Sequence, residues 1–195
     1  MEYQIIRLMH ILGFVLMGSG LIGVWISDLR SRQLHEIKAF SEAVRSIAVF
    51  YDGLVVPGAL LLLFSGTWMI SRFLGGWQFL QITWLTGMVV LFLIEFIEGN
   101  TITRIYFMRL RRLTQHALTT GDFTPELQEA RGETLSTFTH FLDLPIFFLI
   151  VTLGGLRPAS WDVLTIGLII AFTVAILLTL YIPKLYPWKT AAKPT

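Results

Sequence analysis

Five stretches of this chain carry enough consecutive apolar residues to cross the hydrocarbon core of a bilayer, which takes about 20 residues of helix. They fall at residues 5–27, 47–73, 79–99, 137–156 and 163–181, the fourth being the shortest and most polar. Polar positions punctuate the pattern. Gly75-Gly76 marks a tight turn between the second and third stretches, and Arg157-Pro158-Ala159-Ser160 marks one between the fourth and fifth, so both pairs are expected to form antiparallel hairpins. Two longer connections remain. In the first, Leu34, Ile37, Phe40 and Val44 recur at helical spacing among basic residues. That suits either a helix at the lipid surface or a continuation of the neighbouring spans. In the second, Gly121-Asp122 reads as a turn and Thr124-Pro125-Glu126 as a helix start, with a capping residue before proline and an acid in the first turn. The pattern predicts an all-α integral membrane bundle of five transmembrane helices, one domain over residues 1–188, with a disordered tail at 189–195.

Composition supports this. A chain 54% hydrophobic and 14% charged, with mean hydropathy +0.69, is too apolar for an ordinary soluble domain. The net charge of +2 gives no argument for nucleic acid, and the placement of the charges matters more than their sum. Of the 15 Lys and Arg, twelve lie in the two longer connections and the tail, which leaves Arg7, Arg72 and Arg157 on the other side. The positive-inside rule then puts the N-terminus outside and the C-terminus in the cytoplasm, in agreement with an odd number of spans. The first apolar run follows only Met1-Glu2-Tyr3-Gln4, without a basic lead or a small-residue cleavage site, so it is read as a retained span. Zero cysteines exclude disulfides, thiolate ligands and covalent c-type haem attachment.

Ionisable groups inside such spans are costly, and each is a functional candidate by default. His10 lies in the outer third of the first span with Arg7 one turn above it, and Arg72 and Arg157 emerge at the same side. Three arginines beside an imidazole suit an anionic ligand with a metal centre, such as haem b with its propionates on Arg and its iron on His10. Met69 stands at a suitable depth for a second axial ligand. The competing reading is a helix-bonded histidine with arginines that snorkel to the interface.

A second constellation falls in the inner third: Asp52 beside Tyr51, Glu95 and Glu98, and His140 and Asp143. The i, i+3 spacing puts each of the last two pairs on one helix face. Carboxylates and an imidazole from three helices suit a divalent metal or a proton path, whereas hydration at the headgroups, or neutralisation by Arg45 or Arg104, is the plain alternative. Pro57 and Pro145 are expected to kink the helices and free carbonyls near these acids. Small residues four apart, Ser19 and Gly23 in the first span and Gly167, Ala171 and Ala175 in the fifth, allow close helix approach within the bundle or against a partner or second copy. Trp77, Trp161 and Trp188 fall where aromatic belts are expected.

Four stretches together resemble a known family. They are His10-Ile11-Leu12-Gly13, the course from Asp52 through Pro57-Gly58 to Gly66-Thr67-Trp68, the basic run Thr103 to Arg112, and Leu144-Pro145 closing at Leu156-Arg157-Pro158. The chain resembles a bacterial integral membrane family of unknown function, similar in turn to CopD copper-resistance and HemJ protoporphyrinogen-oxidase-like proteins, over residues 1 to about 158. The resemblance implies a multi-pass protein of the bacterial inner (plasma) membrane with a four-helix core. It implies His10 as a ligand of haem or copper, and Arg157 as the basic residue before proline that closes the fourth helix. The fifth span has no counterpart in that pattern.

No phosphate-cradling glycine loop, His-Glu-x-x-His or serine-nucleophile motif is present. Three functions of different classes follow: a redox protein or membrane oxidoreductase holding haem b or copper at His10, a proton or divalent-metal transporter built on Asp52, Glu95, Glu98, His140 and Asp143, and a non-catalytic assembly subunit that binds a partner through Gly167, Ala171 and Ala175.

Overall fold

The computed structural model describes residues 1–188, and among them there is helix and no strand. Helix α1 (Glu2–Arg32) is followed by α2 (Ile37–Phe50), α3 (Val56–Phe73), α4 (Thr83–Glu98), α5 (Arg104–Thr120), α6 (Pro125–Arg131), α7 (Thr134–Leu156) and α8 (Asp162–Leu185). A π-helical turn, Tyr51–Val55, joins α2 to α3, and a second, Gly99–Thr103, joins α4 to α5. Each of those pairs is therefore one rod, of 37 and 38 residues. With α1, α7 and α8 they make the five helices long and apolar enough to cross a membrane.

The rods explain the first long connection. Leu34 to Val44 forms no separate surface helix; α2 continues the second span, and α5 continues the third. A helix of 18 residues, the length of α3, already covers about 27 Å, close to the hydrocarbon thickness of about 30 Å. Accordingly α2, α5, α6 and the end of α1 build a layer beyond the membrane, at the end of the bundle that carries most of the Lys and Arg and is called the inner end below. Phe40, Val44, Ile47, Phe107, Leu110 and Leu127 form its core. At the outer end the third span starts at Thr83 and not at 79, because Gly75 and Gly76 take positive φ and lead into a 3-10 turn over Gly76–Gln81.

Close approach between α1 and the second rod rests on glycine. A Cβ at Gly58 would stand 2.5 Å from the Met17 backbone nitrogen, and one at Gly20 would stand 2.8 Å from that of Val55. Gly23 packs on Phe50 as its small size allows, whereas Ser19 faces outward. On α8 the small residues serve the bundle itself. Ala171 and Ala175 are buried, and a Cβ on Gly167 would overlap Leu149 of α7. Of the two uses open to this face, packing within the bundle is the one seen, against α7, since it is the side of α8 on which that helix can come closest.

Trp188 also departs from expectation. Its ring lies between the guanidinium groups of Arg32, at 4.3 Å, and Arg131, at 4.4 Å, and ties the end of the described chain to the inner layer. Trp77 and Trp161 remain exposed at the outer end. Burial pushes the Arg131 guanidinium down to about 10, with Tyr106 opposing the shift and Arg32 adding to it, so Arg131 is charged at neutral pH. The tail expected at 189–195 lies outside the described residues.

Candidate functional site

The two π turns lie side by side. Tyr51, at the start of one, donates its hydroxyl at 2.6 Å to the carbonyl of Gly99, at the start of the other. Pro57 follows the first turn and has no N–H for the carbonyl of Gly53, which the altered helical turn accommodates. On α7, Pro145 likewise leaves the Phe141 carbonyl without its usual donor.

Against these turns three carboxylates converge. Glu95 and Glu98 project from the last turn of α4 and Asp143 from α7, and one oxygen of each lies within 4.8 Å of the others. Glu95 is 7% and Asp143 4% exposed. Asp143 Oδ1 and Glu98 Oε2 are buried without a donor from outside the three acids among the described residues, and the carboxyl groups are close enough to one another to share a hydrogen bond when one holds a proton. The other Glu98 oxygen accepts from Thr103 at 2.9 Å, and Thr103 meets Thr139 at 3.3 Å. Among the described residues no ion pair links the three acids to a basic side chain. Three ionised carboxylates so close and so poorly solvated would repel strongly, and either a proton shared among them or a cation between them relieves the repulsion. A cavity of about 20 Å³ adjoins them, with Tyr51, Glu95, Gly99, Asn100 and Asp143 in its wall and Met17 closing the α1 side. That is room for about one water-sized particle.

Two residues expected in this cluster stand apart. Asp52 is half-exposed on the opposite side of the π turn from Tyr51 and pairs with Arg104 at 3.1 Å. His140 turns toward α1, where its Nε2 lies 3.8 Å from Asp28 Oδ2, and Asp28 accepts from Arg32 Nε at 2.9 Å. Asp28 and Arg32 are both 1% exposed, a buried pair that the i, i+4 spacing alone could have signalled. Asp52 goes to the counter-charge within its reach, Arg104, whereas His140 packs beside the Asp28–Arg32 pair with neither ring nitrogen in a hydrogen bond among the described residues.

At the outer end His10 Nδ1 lies 2.9 Å from Ser65 Oγ. The Ser65 hydroxyl proton is directed to the Leu61 carbonyl, so Nδ1 is the donor and Nε2 keeps its lone pair. That contact fixes the orientation and tautomer of the ring. The other outer candidates do not surround it. Arg72 is 3.9 Å from Glu2, which also accepts from Trp68 at 3.0 Å. Arg157, at the αL end of α7, lies over Trp84 at 5.3 Å. Arg7 is exposed and Met69 half-buried, and among the described residues neither shares a hydrogen bond or ion pair with His10. The outer candidates are thus held in separate contacts, His10 on Ser65, Arg72 near Glu2 and Arg157 over Trp84.

Residues 4–158 match the family described as a predicted integral membrane protein, DUF2269. The chain belongs to that family. The DUF2269 match spans α1 to α7 and takes in every candidate residue of both ends, and α8 lies beyond it. No curated protein and no solved structure matches the chain.

Proposed function

We propose that this DUF2269 protein is a divalent-cation transporter of the bacterial inner membrane whose binding site is Glu95, Glu98 and Asp143. The observation that carries this reading is the buried carboxylate triad without a counter-charge, with no donor from outside the triad to Asp143 Oδ1 among the described residues, beside a cavity large enough for one ion. Carboxylates bind divalent cations at about 2.0–2.6 Å, and three oxygens within 4.8 Å of one another meet on one ion after small side-chain rotations. The adjacent π turns are the kind of helix irregularity that membrane proteins place where a helix lines a binding cavity.

The test uses the full chain in nanodiscs and in proteoliposomes. Mn2+ is expected to bind saturably and to enter vesicles loaded with a quenchable dye. Glu95→Gln combined with Asp143→Asn should weaken binding at least tenfold and abolish entry. Wild-type protein that neither binds nor passes Mn2+ would remove the reading.

A second reading keeps His10 as the ligand of copper or haem b in a redox protein. It is supported by the Ser65 contact that leaves Nε2 with its lone pair. The same purified preparation separates the two, because the triad reading expects a featureless reduced-minus-oxidised spectrum and no copper, and the histidine reading expects a signal lost in His10→Ala.

A further inference from the structure

Resting on the triad reading, we infer that Asn100 supplies a fourth, neutral oxygen ligand, and that the site takes a hard divalent cation that sheds most of its water, Mn2+ or Ca2+ in preference to Mg2+.

Asn100 sits in the π turn that follows α4 and lines the same cavity as Glu95 and Asp143. Its amide contacts the Phe96 carbonyl at 2.8 Å. A carbonyl only accepts, so the atom facing Phe96 is the NH2 group. The amide oxygen is then the end left for the cavity. It takes part in no hydrogen bond among the described residues, whereas the neighbouring Gly99 carbonyl is already held by Tyr51.

The donor set decides the class of ion. His140 belongs to neither the carboxylate cluster nor the cavity wall, its Nε2 lying 3.8 Å from Asp28 Oδ2, and the chain has no cysteine. All the charge at the site is therefore on oxygen. Met17 adds only a thioether, a weak ligand for hard cations. Carboxylate and amide oxygens suit Mg2+, Ca2+ and Mn2+ over ions that select nitrogen or sulfur. Size then discriminates among these. Mg2+ dehydrates reluctantly and keeps several waters, and a cavity of about 20 Å³ has room for about one.

The experiment is Mn2+ binding to the full chain in nanodiscs, read by electron paramagnetic resonance, with Ca2+ and Mg2+ as competitors. Asn100→Leu should weaken Mn2+ at least tenfold, and Asn100→Asp, which is nearly isosteric and adds charge, should tighten it at least threefold. A purely structural asparagine would not produce that gain. His140→Gln should stay within twofold of wild type, and the bound Mn2+ should show no coupling to a directly bound nitrogen. Mg2+ should need at least ten times the Ca2+ concentration to displace Mn2+. Wild-type affinity in both Asn100 variants, a directly bound nitrogen, or equal competition by Mg2+ would overturn the inference while the triad stands. If Glu95→Gln with Asp143→Asn binds Mn2+ as wild type does, the triad reading itself fails, and the assignment of Asn100 with it.

Discussion

Gly58 and Gly53 are five residues apart on the second rod and face opposite demands. A side chain at Gly58 meets the backbone of Met17 and Gly13, which cannot rotate away, so Gly58→Ala must push α1 and α3 apart. Overpacking of this kind costs about 1–3 kcal/mol. Gly53 faces open space, and replacing a helical glycine there removes a backbone-entropy cost of up to about 1 kcal/mol. Thermal unfolding in detergent, followed by tryptophan fluorescence, is expected to show a clear loss of midpoint for Gly58→Ala and none for Gly53→Ala. Equal behaviour of the two would contradict the glycine-mediated contact. At this scale the sequence was partly legible. Ser19 and Gly23 could be picked out as small, but which small residue faces a neighbour depends on the rotation of α1, and that rotation places Gly13 and Gly20, not Ser19, against the second rod.

The two π turns are the elements on which the candidate site is built. Each shifts the phase of its rod, and Tyr51 bolts one to the other through the Gly99 carbonyl. Tyr51→Phe keeps the ring and removes the donor, leaving the Gly99 carbonyl with the Arg104 N–H alone, and is expected to cost about 0.5–1.5 kcal/mol. The measurement is again the unfolding midpoint. Tyr106→Phe serves as comparison, because among the described residues no hydrogen bond of the Tyr106 hydroxyl links two elements. Loss confined to Tyr51→Phe would place the effect in the link between the turns, and an unchanged midpoint would sink it. Periodicity cannot reveal such turns, since a π insertion changes the register without changing the apolar character of the span. Pro57 hinted at the first, and nothing comparable announced the second. Asn100 was missed for that reason: counted along a regular helix it does not join the Glu95 face.

Taken whole, the molecule has an apolar bundle at one end and a folded inner layer at the other, where Arg32, Arg131 and Trp188 stack and Asp28 is buried with Arg32. Reporter fusions test its orientation. A phosphatase fused after Gly76 or Ala159, in the two outer turns, is expected to be active, and one fused after Thr120 or at the C-terminus inactive, with fluorescent-protein fusions showing the reverse. The opposite pattern would invert the assignment of inner and outer ends and place the triad near the other face. α8 lies beyond the family match, yet it is fixed to α7 by its small-residue face, so the five-helix bundle holds the four-helix core in its interior contacts.

The sequence by itself determined the solvent, the number of crossings and their approximate places, because burying about 20 apolar residues in hydrocarbon is a local property of each segment. It also singled out the acids, since any carboxylate in such a segment is conspicuous. Which of them meet was decided by the tertiary structure. Glu95, Glu98 and Asp143 come together while Asp52 turns to Arg104 and His140 to Asp28. The physical reason is that helix rotation is set by glycine contacts, π turns and long-range polar contacts, and the polar contacts join residues 48 to 112 positions apart, a distance over which spacing carries no information.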